Sequence, residues 1–250
     1  MKQLSPEYLK QYLKEIKTLN LEFNLEQISK NESKIEFDFG VSSVFSSNIE
    51  GNSMDLNSFF NFDVNAKITK EKQEIDELIQ AYNFAKGHPL NYDNLLQAHQ
   101  ILSQSFLDEF QQGTIRTNPV GVFGSSGLIY LALEPDKVEL ELKELMAEVE
   151  VLILTKLSTQ EIFYYASFLH LRIAHIHSFA DGNGRIARLV EKWFLGIKLG
   201  ELGWKIKSEQ YYKENQQLYY QNINLGDNFW ELDYSQSTPF LIMLASSIFV

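Results

Sequence analysis

The sequence predicts an all-α fold, a helical bundle carrying one small β-hairpin. Three observations lead there. Apolar residues recur at three- and four-residue spacing through most of the 250-residue chain. Helix starts and stops punctuate those runs, at Ser5-Pro6, Thr69, Gly87-His88-Pro89, Pro135, Ser158 and Gly200. Residues 113–134 alone change character, with two β-prone runs around Gly124-Ser125-Ser126-Gly127.

Ser5-Pro6-Glu7 reads as a helix start, with a helix to about residue 18. Residues 20–40 alternate weakly through Ile35, Phe37 and Phe39, and fit a short strand or an extended arm equally. Val41, Val44, Phe45 and Ile49 share one helical face, and Gly51 is placed to cap that short helix. Glu50 then falls at the negative helix end, where an acid is unfavourable, with Ser46 one turn earlier on the same side. From that segment alone Glu50 reads as a solvated terminal acid, unless a cation elsewhere holds it. Residues 53–69 read as a loop or short helix. A helix follows from Thr69 or Lys70 to about residue 86, and another from Asn91 or Asp93 to about residue 106. The lone His99 on the second is expected to be a packed or boundary histidine. The runs 120–123 and 128–131 form the hairpin; being marginal alone, it reads as a flap over a site. Pro135-Asp136 opens a long helix to about residue 156, and Ser158 or Thr159 caps a helix apolar on all sides. Ile186, Leu189, Val190, Trp193, Phe194 and Ile197 form the stripe of the next helix, ended by Gly200 and Gly203. Residues 208–224 read as one aromatic helix, and 237–248 as the last.

The net charge of −11 argues against a general basic face for nucleic acid, so an anion site here must concentrate positive charge locally. The absence of cysteine excludes a disulfide, a thiolate zinc site and a cysteine nucleophile. No apolar stretch reaches membrane-spanning length and the first residues lack a signal-peptide run, so a cytoplasmic protein without a membrane partner is the expectation. No internal repeat or linker divides the chain. Residues 1–68 read as an N-terminal helical region, 69–230 as the core and 231–250 as a closing helix.

Residues 170–190 carry the chemistry. They read as helix, loop, helix, with His177, Asp181 and the turn Gly182-Asn183-Gly184 in the loop and Arg185 and Arg188 in the first turn beyond it. A glycine turn into a helix N-terminus offers unpaired N–H groups and positive dipole to an anion. Arg185 and Arg188 are three apart and project to one side, each with a planar fork suited to phosphate. Asp181 is a hard oxygen ligand for a divalent cation held jointly with a polyphosphate. His177 can take a proton from a hydroxyl. A metal site of His170, His175 and His177 has poor helical spacing. Ordinary turn chemistry explains the glycines but neither the base nor the forks.

The run His177-Ser178-Phe179-Ala180-Asp181-Gly182-Asn183-Gly184-Arg185-Ile186-Ala187-Arg188 resembles the signature of the Fic-domain family at every fixed position; Ser178 stands where many members have proline. The likeness extends to the hairpin at 116–131, which resembles the target-docking flap, here Val122, Phe123, Gly124 and Ser125. Ser46, Glu50 and Gly51 resemble the inhibitory motif, and Tyr219-Tyr220 an aromatic pair on the adenine side of the pocket. The resemblance implies the Fic fold and AMPylation, the transfer of AMP from ATP to a Ser, Thr or Tyr hydroxyl of a target protein or of the enzyme itself. It implies His177 as general base and Asp181 as the ligand of Mg²⁺ or Mn²⁺. The Gly182–Gly184 backbone with Asn183 would form the anion hole, with Arg185 on the phosphates, Arg188 on the γ-phosphate and Phe179 as an anchor. It also implies that Glu50 pairs with Arg188 and inhibits in cis. Removal of AMP with Glu50 orienting water, transfer of phosphocholine or phosphate, and a non-catalytic nucleotide-binding module are the alternatives; the intact Gly-Asn-Gly-Arg run argues against the kinase-like variants, and His177 against the non-catalytic module. The target's identity and the pairing of two copies are left open by the sequence.

Overall fold

Ser158 opens the helix about which the others pack. In the computed structural model its hydroxyl accepts from the Glu161 N–H (3.3 Å) while the Glu161 carboxylate accepts from the Ser158 N–H (2.8 Å), a reciprocal cap. Beyond it the helix is buried on nearly every side, from Ile162 to Ile176, as its unbroken apolar composition demands. The structure describes residues 3–30, 32–63, 65–124 and 127–249; Ser125, expected in the flap, lies outside them.

In chain order the helices are α1 (Leu9–Ile16), α2 (Leu21–Ser29), α3 (Ile35–Ile49), α4 (Leu56–Phe60), α5 (Lys70–Gly87) and α6 (Tyr92–Leu102). The strands β1 (Gly121–Gly124) and β2 (Gly127–Leu131) follow. Then come α7 (Pro135–Leu154), α8 (Thr159–Ile176), α9 (Asn183–Leu199), α10 (Glu201–Lys205), α11 (Ser208–Glu214), α12 (Gln216–Ile223) and α13 (Thr238–Ser246). The all-α fold with one hairpin is therefore as expected. The strands pair antiparallel, Val122 with Tyr130 and Phe123 with Leu128, so Ile129 is the extra residue of a bulge. One buried cluster runs from Leu4 to Ile248 and joins the N-terminal, central and C-terminal segments in a common core. A smaller one joins Val44, Phe59 and Ile75. Among the described residues no helix is long and apolar enough to cross a membrane.

Several local expectations are corrected. The described residues of the stretch 20–40 hold neither strand nor extended arm: 21–29 form α2, and 35–40 are the first turns of α3, which starts at Ile35. Period-two apolarity misleads there because α3 is buried on more than one side, with Ser42, Ser43, Ser46 and Ser47 inside the protein. The first helix starts at Leu9; Ser5 instead accepts from the Glu7 N–H in a local turn, and the Glu148 carboxylate holds the Gln3 and Leu4 amides. Gly203 does not end α9 but lies in α10, where a side chain would strike the Leu195 carbonyl. The aromatic stretch 208–224 is broken at Asn215 into α11 and α12. The last helix stops at Ser246 and tightens into a 3₁₀ turn.

The serines of α3 serve a buried polar junction. Lys192 of α9 pairs with Glu209 of α11 at 2.7 Å, both fully buried. Ser42 and Tyr82 donate to the same carboxylate (3.1 and 2.6 Å), and Lys192 also donates to the Ser42 hydroxyl and the Ile206 carbonyl. Burial pushes the Glu209 carboxyl up, but the Lys192 ammonium and these donors outweigh it and hold it below the usual range. The junction ties α3, α5, α9 and α11 together. Replacing Lys192 by Met strands a buried carboxylate and is expected to cost about 3–5 kcal/mol in urea unfolding. The double change Lys192→Met with Glu209→Gln should cost less; equal losses would contradict the junction's role.

Candidate active site

The carbonyl end of α8 is where the fold turns into a site. Its last carbonyls lack helical donors, and the hairpin stem supplies several. Tyr130 of β2 donates to the His175 carbonyl (2.7 Å). Arg116 donates its Nε–H to the His177 carbonyl (2.6 Å), and its backbone N–H bonds to the Ser178 carbonyl (3.1 Å). The remaining guanidinium N–H groups of Arg116 reach the Asn118 and Leu133 carbonyls (2.9 and 2.5 Å). So held, His177 sits in the left-handed region at φ 54°, a strained conformation for a non-glycine residue of the kind found at functional sites.

His177 also meets an α8 carbonyl with its own ring. Nδ1 lies 3.1 Å from the Ala174 carbonyl, an acceptor only, so Nδ1 carries the proton and Nε2 keeps its lone pair. Burial pulls the His177 pKa down, and Arg116 adds to that; the Ala174 carbonyl, Glu50 and Asp181 oppose it without prevailing. The ring is therefore neutral near pH 7 and presents a basic nitrogen.

The loop closes on Phe179, which is fully buried and stacks face to face on His99 at 3.6 Å between centroids. The Asn183 amide bonds both the N–H and the carbonyl of Phe179 (2.9 Å each). Its side chain is thus committed to loop closure, leaving only its backbone N–H for an anion. His99 accepts from the Gly113 N–H at Nδ1 (3.1 Å), which fixes the proton on Nε2 and lets it donate to the Asp181 carbonyl (2.9 Å). Gly182 precedes α9 at φ 80°, with His99 and Phe106 close where a side chain would stand. The N–H groups of Asn183, Gly184 and Arg185 then open α9 with no helical carbonyl to meet and no side-chain cap. Beside them the Asp181 carboxylate is 62% exposed, and one of its oxygens accepts from the Gly182 N–H (2.6 Å).

Arg185 lies over the Phe106 ring at 3.7 Å, 3.6 Å from Glu74 and 3.9 Å from Asp181. Arg188 is fully buried and nearly saturated with acceptors. It donates Nε–H to the Ser46 hydroxyl (2.8 Å) and Nη2–H to the Ser46 carbonyl (3.0 Å). A second Nη2–H goes to Glu50 (2.6 Å), and Nη1–H to the Tyr219 hydroxyl (3.2 Å). Tyr219 is backed by His170 (3.0 Å), and His170 by Glu191 (2.8 Å). Burial pulls the Arg188 pKa down, but Tyr219 and Glu50 more than offset it and raise it above the usual guanidinium value. Glu50 keeps 31% of its side chain exposed, so it stands at the mouth of the site with Arg188 behind it. Burial pushes its carboxyl up; Arg188, then Arg185 and His177, outweigh that and bring it below the ordinary carboxylate range. Any side chain at Gly184 would strike the Glu50 carboxylate, so this glycine lets the acid lie against the start of α9.

Residues 89–195 match the model of the Fic/DOC family. The chain carries a Fic/DOC domain over that segment, which spans less than half of its length. Its fold is that of solved Fic proteins. A Fic family protein from Desulfovibrio desulfuricans G20 superposes with a TM-score of 0.72 at 21% identity, over 92% of this chain and 72% of that one. A Fic domain containing signaling protein from Bacteroides thetaiotaomicron VPI-5482 gives 0.67 at 18% identity, over 97% and 92%. Fic-1 from C. elegans gives 0.64 at 19% identity, over 96% and 68%. Nothing matches among curated proteins.

Within the Fic/DOC domain the signature residues His177, Asp181, Gly182, Asn183, Gly184, Arg185 and Arg188 converge with Ser46 and Glu50, from 127 or more positions earlier in sequence and outside the matched segment. Gly51, at φ 97°, turns the chain out of α3. The tyrosine pair does not form a single wall: Tyr219 is buried behind Arg188, and Tyr220 is half-exposed with its hydroxyl on the Ile49 carbonyl (2.9 Å). Val122 and Phe123 are exposed on β1, with Gly124 beyond them. His170 and His175 are engaged by Tyr219, Glu191, Tyr234 and the Ile223 carbonyl, and among the described residues no cluster of three metal-binding side chains occurs. Arg116, Glu74 and Phe106 escape a sequence reading because each is a lone residue far from the signature. His99 was legible only as a packed histidine, and its bond to the loop depends on tertiary placement.

Burial pulls His99 down to about 4 and His175 to about 3, with the other hydrogen-bonding and charge effects smaller. Both remain neutral in the folded chain while the unfolded chain protonates near pH 6.5. Stability is therefore fully present above about pH 6.5 and falls on acidification toward pH 4, with His99 contributing roughly 3 kcal/mol of that loss. Urea unfolding between pH 7 and 4 should show the decline, and His99→Gln should flatten it; an unchanged slope in the variant would contradict the assignment.

Proposed function

We propose that this Fic/DOC protein transfers AMP from ATP to a Ser, Thr or Tyr hydroxyl of a target protein, and that Glu50 holds the activity down in cis. The observation that carries the reading is the convergence on the start of α9. There a neutral imidazole with a free Nε2 stands beside unpaired N–H groups and two arginines, one of which is held by Glu50.

In this reading His177 Nε2 takes the proton of the attacking hydroxyl as its oxygen bonds to the α-phosphorus, and pyrophosphate departs with the electrons of the α–β bridge. The N–H groups opening α9 and Arg185 hold the phosphate oxygens in place, a matter of positioning and charge rather than covalent catalysis. A divalent cation such as Mg²⁺ or Mn²⁺ would neutralise phosphate charge when bound. The exposed hard-oxygen donor of Asp181 suits it, with the phosphates completing the shell. Val122 and Phe123 on the hairpin offer the exposed apolar edge to the target polypeptide.

Arg188 belongs to the γ-phosphate in this reading, and Glu50 occupies it. While that pair stands, the triphosphate lacks its terminal counter-charge and settles out of line for attack. Replacing Glu50 by Gly is expected to raise AMP transfer from α-labelled ATP by at least about tenfold, the equivalent of one charge-assisted contact. His177→Ala should abolish transfer while ATP still binds. An unchanged rate in the first variant would overturn the inhibition, and persistent transfer in the second would overturn the base.

A further inference from the structure

The carbonyl end of α3 must be accounted for in full, because Glu50 follows it directly. Its last four carbonyls have no helical donor. The Ser46 carbonyl accepts from Arg188 (3.0 Å), and the Ser47 carbonyl from the N–H groups of Glu50 and Asn52 (3.0 and 3.1 Å). The Asn48 carbonyl accepts from the Gly51 N–H (3.2 Å) and from Lys213 Nζ (2.9 Å). The Ile49 carbonyl is met by side chains, Gln216 Nε2 and the Tyr220 hydroxyl, at 2.9 Å each. Lys213 also donates to Gln216 Oε1 (2.8 Å), which turns the amide so that its NH₂ faces Ile49. Three donors on α11 and α12 thus converge on the two carbonyls just before Glu50.

This arrangement answers a physical difficulty. An acid at the negative end of a helix is disfavoured, and last turns fray. Glu50 is partly exposed, so its hold on Arg188 depends on the last turn of α3 staying wound. Lys213 supplies the cation that a helix C-terminus favours, and Gln216 and Tyr220 supply donors that water would otherwise provide.

We propose that Lys213, Gln216 and Tyr220 are positioning residues for the inhibition: a latch on α11 and α12 that fixes the last turn of α3 and keeps the Glu50 carboxylate on Arg188. The latch rests on the reading that Glu50 inhibits. Its strength sets the fraction of molecules in which Arg188 is free, so loosening it activates the enzyme without touching the catalytic loop.

The test compares AMP transfer from α-labelled ATP in the full chain, with and without Glu50→Gly. The double variant Lys213→Met with Gln216→Leu should raise basal transfer about tenfold, the shift expected from losing two hydrogen bonds to one turn. Lys213→Arg keeps a cationic donor and should stay near the parent rate. In the Glu50→Gly background the double variant should change nothing further. Amide exchange at Glu50 and Gly51 should quicken in the double variant, independently of activity. If Glu50→Gly activates and the double variant does not, the latch is refuted while the inhibition stands. If Glu50→Gly fails to activate, the functional reading itself falls. Transfer lowered by the double variant in the Glu50→Gly background would mark these residues as substrate contacts and overturn the latch, as would unchanged amide exchange.

Discussion

The buried guanidinium of Arg188 is the constraint around which this protein is arranged. A full charge with no exposed surface must be surrounded by acceptors, and the chain brings them from α3 and α12. Ser46 gives a hydroxyl and a carbonyl, Tyr219 a hydroxyl, and only Glu50 gives a negative charge at hydrogen-bond distance. The first three are fixed inside the protein. The fourth stands at the surface, on the last residue of a helix turn, and is the one partner that can be exchanged for a different anion. A buried cation with one replaceable counter-ion is a switchable site by construction.

The rest of the fold keeps that exchange from happening freely. The junction of Lys192, Glu209, Ser42 and Tyr82 fixes the middle of α3 against α5, α9 and α11. The side chains of α11 and α12 hold its end. Together they make α3 part of the core although it lies far from the signature in sequence. On the proposed function, stability and activity then oppose one another: removing Glu50 would free Arg188 for substrate but leave a buried cation with hydroxyl and carbonyl partners alone. The catalytic loop is held separately, by Arg116 and Tyr130 from the hairpin stem and by His99 from α6, so that loosening α3 need not disturb His177.

How much of this the sequence discloses depends on whether a function is carried by neighbours in the chain. The loop from His177 to Arg188 is legible because a base, an acid, a glycine turn and two forks lie within one helical entry. The amphipathic helices are legible for the same local reason. Glu50 alone reads as an ill-placed terminal acid, and its partner becomes clear only through the family resemblance and then the geometry. The start of α3 is misread because a helix buried on several sides, with serines inside, loses its three-to-four period. Lys213, Gln216 and His99 are invisible as functional residues because each acts on a backbone carbonyl of a distant segment, and carbonyls have no signature in sequence. The tyrosine pair shows the converse: two adjacent residues that read as one feature point to different tasks, one behind Arg188 and one on α3.

The central claim is that Glu50 occupies the place of a terminal phosphate on Arg188. Calorimetric titration of ATP and ADP into the parent chain and into Glu50→Gly tests it without any turnover, in the His177→Ala background. The account predicts that ATP and ADP bind the parent with nearly equal affinity, and that Glu50→Gly makes ATP about tenfold or more tighter than ADP, since only then does the γ-phosphate meet Arg188. An ATP-to-ADP ratio that is the same in both proteins would contradict it.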